Sequence, residues 1–123
     1  MKRTVITVDG NGRLSIPSNL EDLWMSENEL VDMLYVTTPK LKAVIRAIYE
    51  EGMLLMSEVQ KRKKLSKDVW QTLYGFPMVV AICFRLTSNG AAQLRDAIFK
   101  RLYGAKEKTA IVLQLYGGTN AFS

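Results

Sequence analysis

Apolar and polar positions change period several times along the chain, and each change marks an element. Residues 3–17, RTVITVDGNGRLSIP, alternate around Asp-Gly-Asn-Gly. β-branched residues meeting at a glycine-rich turn predict a β-hairpin that Pro17 closes. Residues 18–25, SNLEDLWM, carry no clear period, although Trp24 and Met25 suit a core. Ser26-Glu27-Asn28-Glu29 then forms a capping box, with Leu30, Met33 and Leu34 as one apolar face, which predicts a short helix ending near Leu34. Thr38 before Pro39 predicts a second start, with Thr38 as the cap and proline in the first helical position. Leu41, Val44, Ile45 and Ile48 share its inner face, Lys40, Lys42, Arg46 and Glu50 lie away from it, and Gly52 ends it.

Two short helices joined by Tyr35-Val36-Thr37 have the form of a helix-turn-helix whose second helix is basic. Met53–Arg62 and Val69–Tyr74 read as two strands, with Lys63-Lys64-Leu65-Ser66-Lys67-Asp68 as their tip. A hairpin in that place is a wing. GFPMVVAICFRL is apolar almost throughout, so periodicity leaves a buried strand and a buried helix equally open. Ser88 caps a clearer helix with Ala91, Leu94, Ile98 and Leu102 inward and Gly104 at its end, and residues 109–116, TAIVLQLY, read as a strand able to pair with the N-terminal hairpin. Residues 117–123 read as a loose tail. The chain, 123 residues long, has the length of a single domain.

Charge sharpens this outline. The net charge of +5 divides into −3 over residues 1–36, +5 over residues 37–67 and +3 over the remainder, so positive charge is concentrated on the second helix and the wing. A concentrated patch matters more for polyanion binding than the total. Composition also removes chemistry. With no histidine, imidazole bases, Ser-His or Cys-His nucleophiles and imidazole metal sites are excluded. The pairs Glu21–Asp22 and Glu50–Glu51 read as solvated helix-end charges, Gly10 and Gly12 lack the third glycine of a phosphate loop, and no cofactor is indicated. An enzyme is therefore not expected. Cys83, the only cysteine, cannot form an internal disulfide and reads as a small buried hydrophobe in a reducing cytoplasm. No apolar run reaches the length of a membrane span, and the start does not read as a secretion signal.

Two stretches resemble one family. ENELVDMLYVTTPKLKAVIRAIYEEGML resembles the helix-turn-helix of RhuM-like proteins of bacterial mobile elements and pathogenicity islands, and YGFPMVVAICFRLTSNGAAQLRDAIFKRL resembles the segment that follows it. Tyr74, Met78, Phe84, Arg85, Ser88, Gln93, Leu94, Arg95 and Leu102 fall in step, and the match spans residues 26–103. The resemblance implies a DNA-binding module from a mobile or phage-derived element and favours a helix for residues 77–86. The chain departs from the family at Tyr35, which stands where the family turn has glycine, at Val31 in place of alanine, and at Leu94 in place of an aromatic residue. VDGNGRLSIP also looks like the first strands of swapped-hairpin transition-state regulators, but nothing beyond Pro17 continues that likeness.

The expected fold is thus α+β: a winged helix-turn-helix with an N-terminal β-hairpin, two C-terminal packing helices and a terminal strand. The expected partner is double-stranded DNA, bound by a homodimer. On the second helix, Thr37, Thr38, Lys40, Lys42 and Arg46 are the candidate groove contacts, with Lys40 and Lys42 near the N-terminal end where base contacts concentrate. On the wing, Lys61, Arg62, Lys63, Lys64 and Lys67 are candidate phosphate contacts, or gatekeepers that stop a strand edge from pairing with another chain. Trp24, Trp70 and the tyrosines read as core or dimer residues. The competing class is a protein-interaction module on the same fold without DNA binding.

Overall fold

The computed structural model describes residues 3–103. The fold is mixed α+β, with five helices and two small sheets among these residues. The predicted strand 109–116, the tail 117–123 and the helix end at Gly104 lie outside them.

The N-terminal hairpin forms as expected but is short, pairing β1 (Thr7–Val8) with β2 (Leu14–Ser15) antiparallel. Asp9 organises its turn by accepting from the Asn11 and Arg13 amides at 2.8 and 3.0 Å. Those two amides, Arg13 first, hold its carboxyl below the usual range. Gly12 takes the left-handed conformation the turn needs, at φ +80°. Gln93 ties the hairpin to the last helix by donating to the Gly12 carbonyl (2.6 Å) and accepting from the Leu14 amide (3.2 Å).

The segment without a period, 18–25, contains a 3-10 turn at Leu20–Asp22 and the start of strand β3 (Trp24–Ser26). β3 runs straight into α1 (Glu27–Leu34) through the capping box. Ser26 Oγ accepts from the Glu29 amide at 3.2 Å, and Glu29 Oε1 accepts from the Ser26 amide at 2.8 Å. Leu30, Met33 and Leu34 are buried, as their spacing required. Tyr35 ends α1 in the left-handed region, at φ 57° and ψ 55°. The turn therefore keeps the conformation a glycine would take, although a tyrosine must bear its steric cost.

α2 (Thr38–Glu51) differs from expectation at its first residue. Thr37, not Thr38, is the cap, because its Oγ1 accepts from the Lys40 amide at 3.3 Å. Pro39 accordingly sits second in the helix, still within the first turn where a missing N–H is harmless. Leu41, Val44, Ile45 and Ile48 are buried, and Gly52 ends the helix at φ 79°.

The strand predicted from Met53 begins later. Residues Met56–Val59 form the single turn α3, whose Glu58 and Val59 amides donate to the Leu55 carbonyl, while Val59 anchors it in the core. β4 (Gln60–Ser66) then pairs antiparallel with β5 (Val69–Gly75). The predicted tip shrinks to Lys67–Asp68, with Asp68 at φ 66°. Lys63 and Lys64 thus lie within a strand, not in the tip, because β4 pairs out to Ser66 by way of an irregularity between Lys64 and Ser66. β3 completes the sheet in the order β3-β5-β4, leaving β4 on an edge.

α4 (Phe76–Cys83) resolves the apolar run as a helix, buried at Met78, Val79, Ile82 and Cys83. α5 (Asn89–Tyr103) starts at Ser88, whose Oγ accepts from the Ala91 amide at 3.3 Å. Arg95 donates to the Cys83 and Leu86 carbonyls, both at 2.6 Å, and so satisfies the end of α4 from the side of α5. Burial, opposed by the Arg95 charge, pushes the Cys83 thiol up to about 12, which leaves it protonated and donating to the Val80 carbonyl. One buried cluster joins the N-terminal hairpin, α1, α2, α4, α5 and the base of the second sheet. No described helix is long and apolar enough to cross a membrane.

Candidate nucleic-acid interface

The β4–β5 hairpin sorts its cations by strand alternation. Gln60 pairs with Tyr74, Arg62 with Thr72 and Lys64 with Trp70, so these six side chains share one face. Lys61 and Lys63, paired with Leu73 and Gln71, point to the other. The first face packs on α2: the Tyr49 hydroxyl donates to Gln60 Oε1 at 2.7 Å. Burial raises the pKa values of Tyr49 and Tyr74 above their ordinary value, so both phenols keep their protons and Tyr49 remains a donor.

Between α2 and this face runs an open groove of about 570 Å³, lined by Lys42, Arg46 and Tyr49 from α2 and by Gln60 and Tyr74 from the sheet. Lys42, Arg46, Arg62 and Lys64 therefore belong to one side of the molecule. The groove is not purely cationic. Glu27 and Glu50 also line it, and Glu27 lies 4.0 Å from Lys42 Nζ, too far for more than a weak, screened pair.

The remaining candidates are distributed around this side. Lys40 and Lys42 are both exposed, but two residues of helix turn them about 200° apart, so Lys40 stands on the shoulder of α2 away from the hairpin. Thr37 is exposed and already accepts one bond as the cap, and Thr38 is half-buried. Beside Thr37 lies a second groove of about 780 Å³, lined by Val8, Val31, Tyr35 and Val36 with Asp9 and Asp32. Those two carboxylates make the N-terminal end of α2 less favourable to phosphate than its middle. Lys67 is exposed in the hairpin turn.

Aromatic rings organise the hairpin cations. The Arg62 guanidinium lies 5.0 Å and the Lys64 ammonium 5.7 Å from the centre of the Trp70 ring, while Lys61 lies 4.2 Å from that of Trp24. Trp24 itself rests on Gly75, where an added Cβ would stand 3.3 Å from the indole. Trp70 is 50% exposed, so it is not a core residue of this chain, which corrects that half of its reading. With Lys64 paired to Trp70 in the sheet, period-2 alternation puts both on one face, a register the sequence did not reveal because it placed Lys64 in the tip. Tyr49 and Gln60 carried no such signal, because their contact depends on how α2 crosses the sheet. β4 is also an edge strand, a place where lysines disfavour pairing with another chain.

No protein-family model, curated protein or solved structure matches the chain.

Proposed function

We propose that this chain is a double-stranded DNA-binding protein built as a winged helix-turn-helix, with α1 and α2 as the helix pair and β4–β5 as the wing. The observation that carries this reading is the placing of Lys42 and Arg46 beside the hairpin face that holds Arg62 and Lys64. Guanidinium and ammonium groups on two elements flanking one groove suit the phosphates of a single duplex. The likeness of residues 26–103 to RhuM-like proteins supports a role as a transcriptional or accessory regulator of a mobile or phage-derived element. A cytoplasmic homodimer fits the same reading.

The test is fluorescence anisotropy with a mixed-sequence duplex between about 50 and 200 mM salt, where counterion release weakens a true phosphate binder steeply. Wild type should bind and lose affinity with salt, and the double variant Lys42→Glu, Arg46→Glu should bind at least about ten-fold more weakly. Absence of salt-sensitive binding by wild type rejects the reading.

A second reading, a protein-docking module without DNA binding, draws on the other groove. Val8, Val31, Tyr35 and Val36 line it with two carboxylates, and Tyr35 is 85% exposed. Such a surface suits a basic, partly apolar peptide. Binding of such a peptide by a protein that ignores duplex DNA would favour it.

A further inference from the structure

On the DNA-binding reading, either α2 or the hairpin could enter a groove of the duplex. We infer that the hairpin enters, as a two-stranded ribbon in the major groove, and that α2 lies beside it against flanking backbone. Three observations carry this.

First, cations occupy both faces of the ribbon: Arg62 and Lys64 on one, Lys61 and Lys63 on the other. An element lying on one phosphate strand needs charge on one face only. An element between two phosphate walls needs both. The hairpin's only carboxylate is Asp68 in the turn.

Second, the dimensions fit. From Arg62 to Gln71 no hairpin residue is buried, so the ribbon projects free of the core. Four residues of β4 beyond Arg62 extend about 13 Å. That exceeds the depth of about 8.5 Å of a major groove, whose width of about 12 Å admits a two-stranded ribbon. The projecting end also exposes Leu65 (54%), Val69 (46%) and Trp70 (50%), apolar groups able to meet thymine methyls and base edges once water is displaced.

Third, α2 is the poorer groove element. Helical spacing makes Pro39, Ala43 and Glu50 its outward stripe, with Arg46 at the edge towards the hairpin as its sole cation, and Asp9 and Asp32 stand in the groove beside its N-terminal end. Its Lys42–Arg46 shoulder, facing the hairpin, is placed for backbone contact.

The experiment compares three variants and one modified duplex. Lys63→Glu and Lys64→Glu, on opposite faces, should each weaken binding at least about ten-fold, whereas Ala43→Gln, which adds bulk to the outward stripe of α2, should stay within about three-fold of wild type. A duplex whose major groove is filled by glucosylated hydroxymethylcytosine should bind at least about ten-fold more weakly than its unmodified twin, while netropsin in the minor groove should not compete. Circular dichroism of each variant confirms the fold before binding is read. If only one lysine reversal matters, if Ala43→Gln abolishes binding, or if the glucosylated duplex binds normally, ribbon insertion is overturned while DNA binding stands. If wild type binds no duplex at all, both fall.

Discussion

Gly90, in the first turn of α5, lies against the main chain of α1 at Met33. A Cβ on Gly90 would overlap the Met33 carbonyl oxygen and stand 2.9 Å from the Leu34 Cα. These neighbours are backbone atoms at the end of a buried helix and cannot swing aside as a side chain can. Gly90→Ala should therefore force α5 off α1 and cost about 3 kcal/mol, at the upper end of over-packing effects. Urea unfolding followed by circular dichroism measures it. A loss below about 1 kcal/mol would mean that the two helices separate easily.

Tyr35 presents the opposite case. It holds a left-handed backbone, which a side chain occupies at a cost of about 1 kcal/mol or more, and it is 85% exposed, so little packing offsets that cost. Tyr35→Gly should raise stability by up to about 1 kcal/mol, with the greater freedom of glycine in the unfolded chain subtracting part of the gain. The same variant should weaken any ligand that uses the exposed ring. A stability decrease on mutation would show that the ring makes contacts that outweigh its strain.

Glu29 serves two elements at once. Its carboxylate accepts from the Ser26 amide as part of the α1 cap and pairs with Arg3 through bonds of 2.7 and 3.0 Å. Arg3 also donates to the Trp24 carbonyl at 2.8 Å, so the N-terminal segment is clipped to β3 and α1 together. Burial works to raise the Glu29 pKa, but the bonds from Arg3 and Ser26 outweigh it and hold it below its ordinary 4.5. A carboxyl depressed in the folded state stabilises fully above its unfolded pKa and stops doing so as pH falls through the folded one. Stability should thus be level in Glu29's contribution above about pH 5 and decline below pH 4.5, and Glu29→Gln should be less stable at neutral pH with a shallower acid decline. Parallel urea titrations from pH 6 down to pH 3 test this. Superimposable pH profiles for the two proteins would remove Glu29 from the acid response.

What could be read in the sequence followed how local the cause was. Ser26 and Glu29 announce α1 because a capping box closes within four residues, and Ser88 announces α5 as a simple side-chain cap that accepts from the Ala91 amide. Thr37 displaced Thr38 as cap because two adjacent threonines offer the same side chain, and only the turn geometry chooses between them. β3 has no local signal: three residues are too few to show a period, and Trp24–Ser26 form a strand only because β5 supplies the partner. The basic run was legible as a surface and illegible as a geometry. Which lysines face α2 depends on where β4 begins, and α3 delays that start by taking up Met56–Val59. Gly90 gave no sign, since its need for a missing Cβ arises wholly from α1.

Salt dependence separates charges that meet phosphate from charges that are merely solvated. Each phosphate neutralised releases condensed counterion, so the slope of log K against log salt falls in magnitude by about 0.9 when one contacting cation is removed. Arg46→Ala and Arg62→Ala, on the two elements that flank the groove, should each lower the slope by about that amount. Lys100→Ala is the control: its ammonium is 3.0 Å from Asp96 on the same helix, in an exposed i, i+4 pair outside this surface. Removing it should leave the slope unchanged, because a charge already compensated locally releases no counterion from the duplex. Equal slopes for all four proteins would mean that long-range net charge alone drives binding, and the assignment of Arg46 and Arg62 to phosphate contact would be withdrawn.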